Sequence, residues 1–302
     1  MLVWSLIATS AFVLIEVLAG VRAHSLALLS DAGHNATDAL ALVLAWFAVY
    51  LQSKPADESR TFGYHRAGVL AAFVNALALI LLSAWMLYES WVRMLNPVAP
   101  DSGVMLWVAA IAIVLNGGIM LALQKSSAHD INLRGAFLHM MGDMFGAAAI
   151  VIGALVMRST GWTRVDPLLS IAISILIVWT AWDITRESLN ILLEGLPRGL
   201  RLQEVIDAVR TVEGVQDVHD LHIWSLGSSS HALSCHLLIE DMPPSRSDSI
   251  LRRVQKVLGD RFQVHHTTIQ FEHASCEISG TGCVIPVGTH QHAHGEHHHH
   301  VH

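Results

Sequence analysis

The stretch His34–Asp38, with the sequence HNATD, recurs later in the chain as His139–Asp143, with the sequence HMMGD. Each stretch places a histidine four residues before an aspartate inside an otherwise apolar run. On a helix, that spacing puts both side chains on one face. Two such faces brought together supply two imidazole nitrogens and two carboxylate oxygens, which form a tetrahedral set of ligands for a divalent metal such as Zn²⁺.

Ionisable side chains inside a bilayer are costly, and they usually face the interior of a helix bundle, where they mark ion pathways or proton relays. A single intramembrane histidine or aspartate is also compatible with a purely structural hydrogen bond. The same spacing occurring in two separate apolar runs favours an intramembrane metal site.

The composition is that of a membrane protein. Of the 302 residues, 53% are hydrophobic and 14% are charged, whereas about 25% charged residues are typical of soluble domains. Six apolar segments precede residue 190, and each has about 20 residues, the length of a membrane-crossing helix. They are Leu2–Val21, Ser25–Leu51, Ala67–Trp91, Val104–Leu123, Leu133–Met157 and Val165–Trp182. We therefore predict a six-helix transmembrane domain over residues 1–190.

Charge and cysteine usage narrow the class of protein. The formal net charge is -7 and no basic face stands out, which argues against binding to nucleic acid. The three cysteines are too few and too scattered for a disulfide framework.

The loops after the second and fourth segments carry more Lys and Arg than the opposite loops, which favours cytoplasmic termini. No targeting segment is visible, so we expect a bacterial inner membrane.

The composition changes to that of a soluble domain after Gly195. Residues 195–275 follow the pattern helix, strand, strand, helix, strand, which predicts a small α+β domain suited to pairing with a second copy. Alternation in the second strand predicts that Cys235 is buried and His236 accessible. The many histidines of this domain favour a peripheral metal site, and residues 276–302 form a histidine-rich tail that we predict to be a disordered metal-collecting segment.

Further polar residues interrupt the apolar segments, among them Glu16, Asp31, Asn75 and Asn116. Glu16 is interpreted as a polar contact between helices in preference to a part of the ion path. Asp31 falls on the same helical stripe as His34 and Asp38, and it is interpreted as a helix-end group facing water in preference to an entrance or exit carboxylate of the ion path. Asn75 is interpreted as an interhelical hydrogen-bonding residue.

Taken together, these features resemble the cation diffusion facilitator family, particularly its zinc-transporting branch. The resemblance rests on the two His-x-x-x-Asp spacings, the Phe62–Tyr64 loop and the strand Val218–Trp224, with the sequence VHDLHIW. It implies a homodimeric metal/proton antiporter that exports Zn²⁺ from the cytoplasm, with a ferredoxin-like cytoplasmic domain that binds metal. The implied transport site is His34, Asp38, His139 and Asp143. The implied cytoplasmic ligands are His219, His236, His265 and Glu272.

The chemistry of the predicted membrane site is consistent with antiport. Metal and protons compete for a histidine, because only the neutral imidazole binds metal. Mixed nitrogen and oxygen ligands suit Zn²⁺, Cd²⁺ or Co²⁺, and no phosphate-binding loop suggests ATP-driven pumping. Zn²⁺ is thus the expected substrate and a structural or regulatory ligand, and no organic cofactor is expected.

Two other functions stay open at this point. One is a metal sensor that signals through its C-terminal domain. The other is an intramembrane metalloenzyme, although the His-Glu-x-x-His spacing of zinc proteases is missing.

Overall fold

The computed structural model describes residues 2–123, 131–227 and 230–274, without the side chains of 2–9, 122–123, 131–136 and 138–139. One compact unit comprises the residues up to Leu193 together with Leu226 and Gly227, and the second comprises Glu194–Ser225 and the described residues from 230 onwards. The predicted tail, residues 276–302, lies outside the described residues.

The first unit is a bundle of long helices that lie over the six apolar segments. They are α1 Leu2–Ala23, α2 Leu26–Gln52, α3 Ala67–Leu95, α4 Ser102–Leu123, α5 Ile131–Thr160 and α6 Val165–Leu192. Among the described residues, the five helices α2 to α6 are long and apolar enough to cross a membrane. Helix α1 has 22 residues, which corresponds to about 33 Å at 1.5 Å per residue.

Helix α2 occupies a central place in the bundle, because it contacts α1, α3, α6 and, over a shorter stretch, α5. The pairs α3–α6 and α4–α5 pack along much of their lengths. Buried alanines lie where α1, α2, α4 and α5 meet, among them Ala23, Ala27, Ala109 and Ala154. Small side chains let helix backbones approach closely, which favours association in lipid.

The start of α2 is held by a carboxylate from α6. Asp166 is 1% exposed and accepts hydrogen bonds from the backbone amides of Leu26 and Ala27 at 2.8 and 3.2 Å. It also accepts one from the hydroxyl of Ser25, whose oxygen in turn accepts from the Leu28 amide. These amides have no partner within the helix, so Asp166 caps α2 from a neighbouring helix.

Removing this cap should loosen the bundle at the end where α2 begins. We expect Asp166→Ala to lower the free energy of unfolding by about 1–3 kcal/mol, because buried amides lose their acceptor. Thermal unfolding in detergent measures the effect. Asp183→Ala is the matched control, since Asp183 is an exposed carboxylate on the same helix; equal destabilisation by both variants would contradict the capping role.

The second unit is a small α+β domain in the predicted order. Its elements are α7 Leu202–Arg210, β1 Val215–Ser225, β2 His231–Ile239, α8 Pro244–Phe262 and β3 Val264–Glu272. The sheet order is β1-β2-β3, with β1 antiparallel to β2 and β2 parallel to β3. The pairing of β1 with β2 contains two irregularities, one between Val215 and Asp217 and one between His219 and His222, and these interrupt the alternation of side chains along β1.

Both helices of this domain pack on one face of the sheet. Val209 of α7 and Leu258 of α8 join Leu233, Cys235 and Leu237 of β2 in a single buried cluster. The predicted burial of Cys235 is confirmed, since it is 1% exposed. Burial raises the pKa of its thiol to about 12, so Cys235 stays a neutral thiol and not a thiolate ligand at physiological pH.

Candidate metal centres

The structure brings the predicted ligands of α2 and α5 together inside the bundle. His34 Nε2 lies 3.6 Å from Asp38 Oδ2, one turn further along α2. The same nitrogen lies 3.6 Å from Asp143 Oδ1 on α5. Asp143 is buried, and the other two side chains are partly exposed.

These two separations are too long for direct hydrogen bonds. Hydrogen bonds from nitrogen to oxygen span about 2.7–3.2 Å. In a tetrahedral site with bonds of about 2.0–2.1 Å, neighbouring ligand atoms lie about 3.3–3.4 Å apart. The 3.6 Å distances from His34 to both carboxylates therefore approach the edges of such a tetrahedron.

The fourth predicted ligand is His139. Its backbone belongs to α5, one turn before Asp143, and this spacing places the two residues on one helix face. The side chain of His139 lies outside the described residues. Its participation stays a prediction.

The three ligands that are described line a cavity of about 650 Å³ formed by α2, α3, α5 and α6. Asp31 and Asn75 also line it, and most of its other lining residues are apolar. A few polar groups in an apolar chamber are typical of a binding site, because such surroundings strengthen their interaction with a charged ligand.

Asp31 is not the water-facing helix-end group that the sequence suggested. It is 6% exposed and lines the same cavity as His34. A β-carbon placed at Gly146 of α5 would lie 3.7 Å from Asp31 Oδ1, so α5 runs close past this carboxylate. The spacing of three residues from His34 was the signal that could have placed Asp31 at the site.

The interpretation of Glu16 as a polar contact between helices is confirmed. Glu16 is fully buried in α1, and Oε2 accepts a hydrogen bond of 2.9 Å from Asn35 Nδ2. Asn35 follows His34 directly in α2. The contact therefore ties α1 to the turn of α2 that carries the candidate ligand.

A second cluster lies on the sheet of the α+β domain. His219 of β1 is paired with His236 of β2 in the strand register, and Glu272 ends β3. Glu272 Oε2 lies 3.0 Å from His219 Nε2, and Oε1 lies 3.0 Å from His236 Nδ1. One ligand atom from each of the three residues fits within 4.8 Å of the other two, so the group can hold a divalent metal.

Asp220 and His222 extend this cluster, although neither belongs to the ligand set that the family resemblance implies. Asp220 Oδ1 lies 3.0 Å from His222 Nε2, and Oδ2 lies 3.8 Å from His236 Nε2. Asp220 has a φ of 50°, which is uncommon for a residue with a side chain. It lies where the β1–β2 register shifts, and an irregularity of this kind redirects side chains in a way that strand alternation does not reveal.

The structure places His265 away from this cluster. His265 lies at the start of β3, next to the pairing of Val264 with His231. His231 is five residues from His236 along β2, roughly 17 Å at 3.3 Å per residue. Burial and, to a smaller extent, the charge of His265 lower the pKa of His231. His265 therefore lies near His231, at the end of β2 away from His236.

Comparison with known protein families covers both units. Residues 2–193 match the cation efflux transmembrane domain, and residues 197–274 match the cytoplasmic domain of cation efflux proteins. The chain therefore belongs to the cation efflux family, the cation diffusion facilitators that its sequence resembles.

Individual relatives are similar over most of their length. The chain is 38% identical to the metal cation efflux system protein CzcD of Cupriavidus metallidurans, covering 89% of this chain and 85% of that protein. It is 38% identical to a cadmium, cobalt and zinc/H(+)-K(+) antiporter of Bacillus subtilis, covering 89% and 87%. It is 37% identical to the zinc transporter ZitB of Escherichia coli, covering 96% and 91%.

Among solved structures, the chain matches the metal-bound C-terminal domain of the CzcD transporter from Cupriavidus metallidurans at 34% identity. The match covers 24% of this chain and 99% of that domain, with a TM-score of 0.22. The family and these relatives are metal transporters, so the metalloenzyme alternative is set aside.

The sheet cluster generates a prediction about metal binding. We expect His236→Ala to weaken zinc binding by at least about tenfold, because a nitrogen ligand is lost, whereas His265→Ala leaves it unchanged. Isothermal titration measures both in a chain that ends at residue 275 and carries Asp38→Ala, so that neither the tail nor the membrane site contributes. Equal weakening by the two variants would show that His265 is also a zinc ligand.

Proposed function

We propose that this protein exports Zn²⁺ from the cytoplasm in exchange for protons. The observation that carries the proposal is the group His34, Asp38 and Asp143, in which His34 Nε2 lies 3.6 Å from a carboxylate oxygen of each aspartate. This group lines a cavity enclosed by four helices in the middle of the bundle. A metal site in that place suits an ion that reaches it from one side of the membrane and leaves towards the other.

Proton exchange follows from the chemistry of the ligands. A neutral imidazole and ionised carboxylates bind a divalent cation, and protonation removes that ability. If the cavity opens alternately to each side, protons that enter from the more acidic side displace the ion there. Deprotonation on the other side then prepares the site for the next ion.

The choice of metal follows from the ligand set and from the relatives. Imidazole nitrogens combined with carboxylate oxygens suit Zn²⁺ and also accommodate Cd²⁺ and Co²⁺. The relatives include a zinc transporter and an antiporter named for cadmium, cobalt and zinc. We therefore take Zn²⁺ as the main substrate and Cd²⁺ and Co²⁺ as secondary ones.

The proposal includes the assembly and the orientation of the protein. The α+β domain corresponds to a ferredoxin-like fold without its first strand, because two parallel strands flank α8 and an antiparallel strand precedes them. We propose that it lies in the cytoplasm, binds metal through His219, His236 and Glu272, and pairs with a second copy in a homodimer. Both termini then lie on the cytoplasmic side of a bacterial inner membrane.

Zinc flux into proteoliposomes with an imposed pH gradient tests this function. We expect zinc to accumulate in the more acidic compartment, since protons leaving that compartment drive the exchange. Asp38→Ala and Asp143→Ala should each reduce flux to the level of empty vesicles, because each removes a carboxylate ligand from the site. A zinc-sensitive dye inside the vesicles measures the rate.

Asp183→Ala is the control variant, because Asp183 is an exposed carboxylate on α6 that does not line the cavity. It should retain the flux of the unmodified chain. Unchanged flux in Asp38→Ala and Asp143→Ala would move the pathway elsewhere. Absence of flux in the folded, unmodified protein would favour the sensor over the transporter.

A further inference from the structure

A second cavity, of about 500 Å³, lies in the bundle beside the first and is lined by residues of α2, α3 and α6. It reaches Gln52 and His65, where α2 ends and the loop to α3 closes. Consecutive long helices alternate in direction, so α2 and α6 run the same way. Helix α6 therefore ends at the same end of the bundle as α2. In the proposed orientation, this end faces the cytoplasm.

Two residues, Asn75 of α3 and Ile184 of α6, line both cavities. They therefore mark the place where the chamber that contains His34, Asp38 and Asp143 adjoins the chamber that reaches the loop. Ile184 offers only a hydrocarbon side chain. Asn75 is the polar group at this junction.

The side-chain oxygen of Asn75 is buried and accepts no hydrogen bond from the described residues. This result departs from the interhelical hydrogen bond that the sequence suggested. Thr180 also lines the first cavity, but its hydroxyl donates to the carbonyl of Ile177 in its own helix at 3.0 Å. A buried acceptor without a donor is costly, which indicates that the oxygen serves a ligand that is present only part of the time.

We propose that the Asn75 side-chain oxygen is an intermediate ligand through which the metal ion passes between the loop-side cavity and the site formed by His34, Asp38 and Asp143. This inference rests on the proposed function and adds a residue to its pathway. An ion that leaves water must exchange part of its hydration shell for protein oxygen atoms. A neutral amide oxygen stabilises the ion without holding it as tightly as a carboxylate, so the ion can move on to the charged site.

The test compares two substitutions of Asn75 by the zinc dependence of uptake from the loop side. Asn75→Leu preserves approximate size and removes the oxygen, so we expect the KM for zinc to rise about tenfold. Asn75→Asp keeps an oxygen at the same position, so its KM should stay within about threefold of the unmodified value. An unchanged KM in Asn75→Leu, or an equal rise in both variants, would overturn the inference.

Asn116→Leu is the matched control, because Asn116 is an intramembrane asparagine on α4 that lines neither cavity. Its KM should not change. An increase equal to that of Asn75→Leu would show a general effect of losing an amide in the bundle and would overturn the inference. Thermal unfolding confirms that the compared variants are folded.

A second measurement does not depend on transport by a variant. Asn75→Cys is introduced into the full chain with Cys276→Ser and Cys283→Ser, and a charged thiol reagent is applied from the loop side. We expect labelling of this position and slower labelling when zinc is present, whereas zinc leaves the labelling of Asn116→Cys unchanged. Labelling of Asn75→Cys that zinc does not slow, or no labelling at all, would contradict the inference.

The outcomes also separate this inference from the proposed function. An unmodified protein that moves no zinc contradicts the function itself. An unmodified protein that moves zinc while Asn75→Leu keeps the same KM contradicts only the role of Asn75.

Discussion

A charged group inside a bilayer must have a partner, and this constraint organises the membrane unit. His34 and Asp38 lie along α2, and Asp143 approaches His34 from α5. Their mutual attraction and their shared capacity for a cation offset the cost of removing them from water. Because the three groups come from two helices, the site exists only while α2 and α5 keep their relative position.

That position depends on other polar residues, each with a separate role. Asp166 of α6 caps the start of α2 and fixes where the helix begins. Glu16 of α1 holds Asn35, the neighbour of His34. The polar residues of this bundle therefore have two different roles. Some connect helices through direct hydrogen bonds, and others line the cavity. The distinction is visible in their partners and not in their residue types.

The two candidate metal centres differ in how closely their candidate ligand atoms approach one another. On the sheet of the α+β domain, Glu272 lies within hydrogen-bond distance of His219 and His236, so the three candidate ligands are already assembled. In the membrane unit, the separations of 3.6 Å leave space between the ligand atoms. An assembled site suits a metal that stays, whereas an open one suits an ion that must arrive and leave.

The sequence by itself determined the elements and indicated most residues of the candidate membrane site. Apolar length located all six helices, and the spacing of four residues placed His34 with Asp38 on one face, because helical periodicity is a local property. Strand alternation correctly predicted that Cys235 is buried and His236 accessible, for the same reason.

The tertiary structure decided which elements meet. Parallel pairing of β2 with β3 carries His265 away from His236 and brings Glu272 towards it, and the packing of α5 beside α2 turns Asp31 from an apparent surface residue into a lining residue of the cavity. The capping of α2 by Asp166 and the position of Asn75 between two cavities also arise from contacts between residues distant in the chain. Helical and strand periodicity carry no information about such contacts.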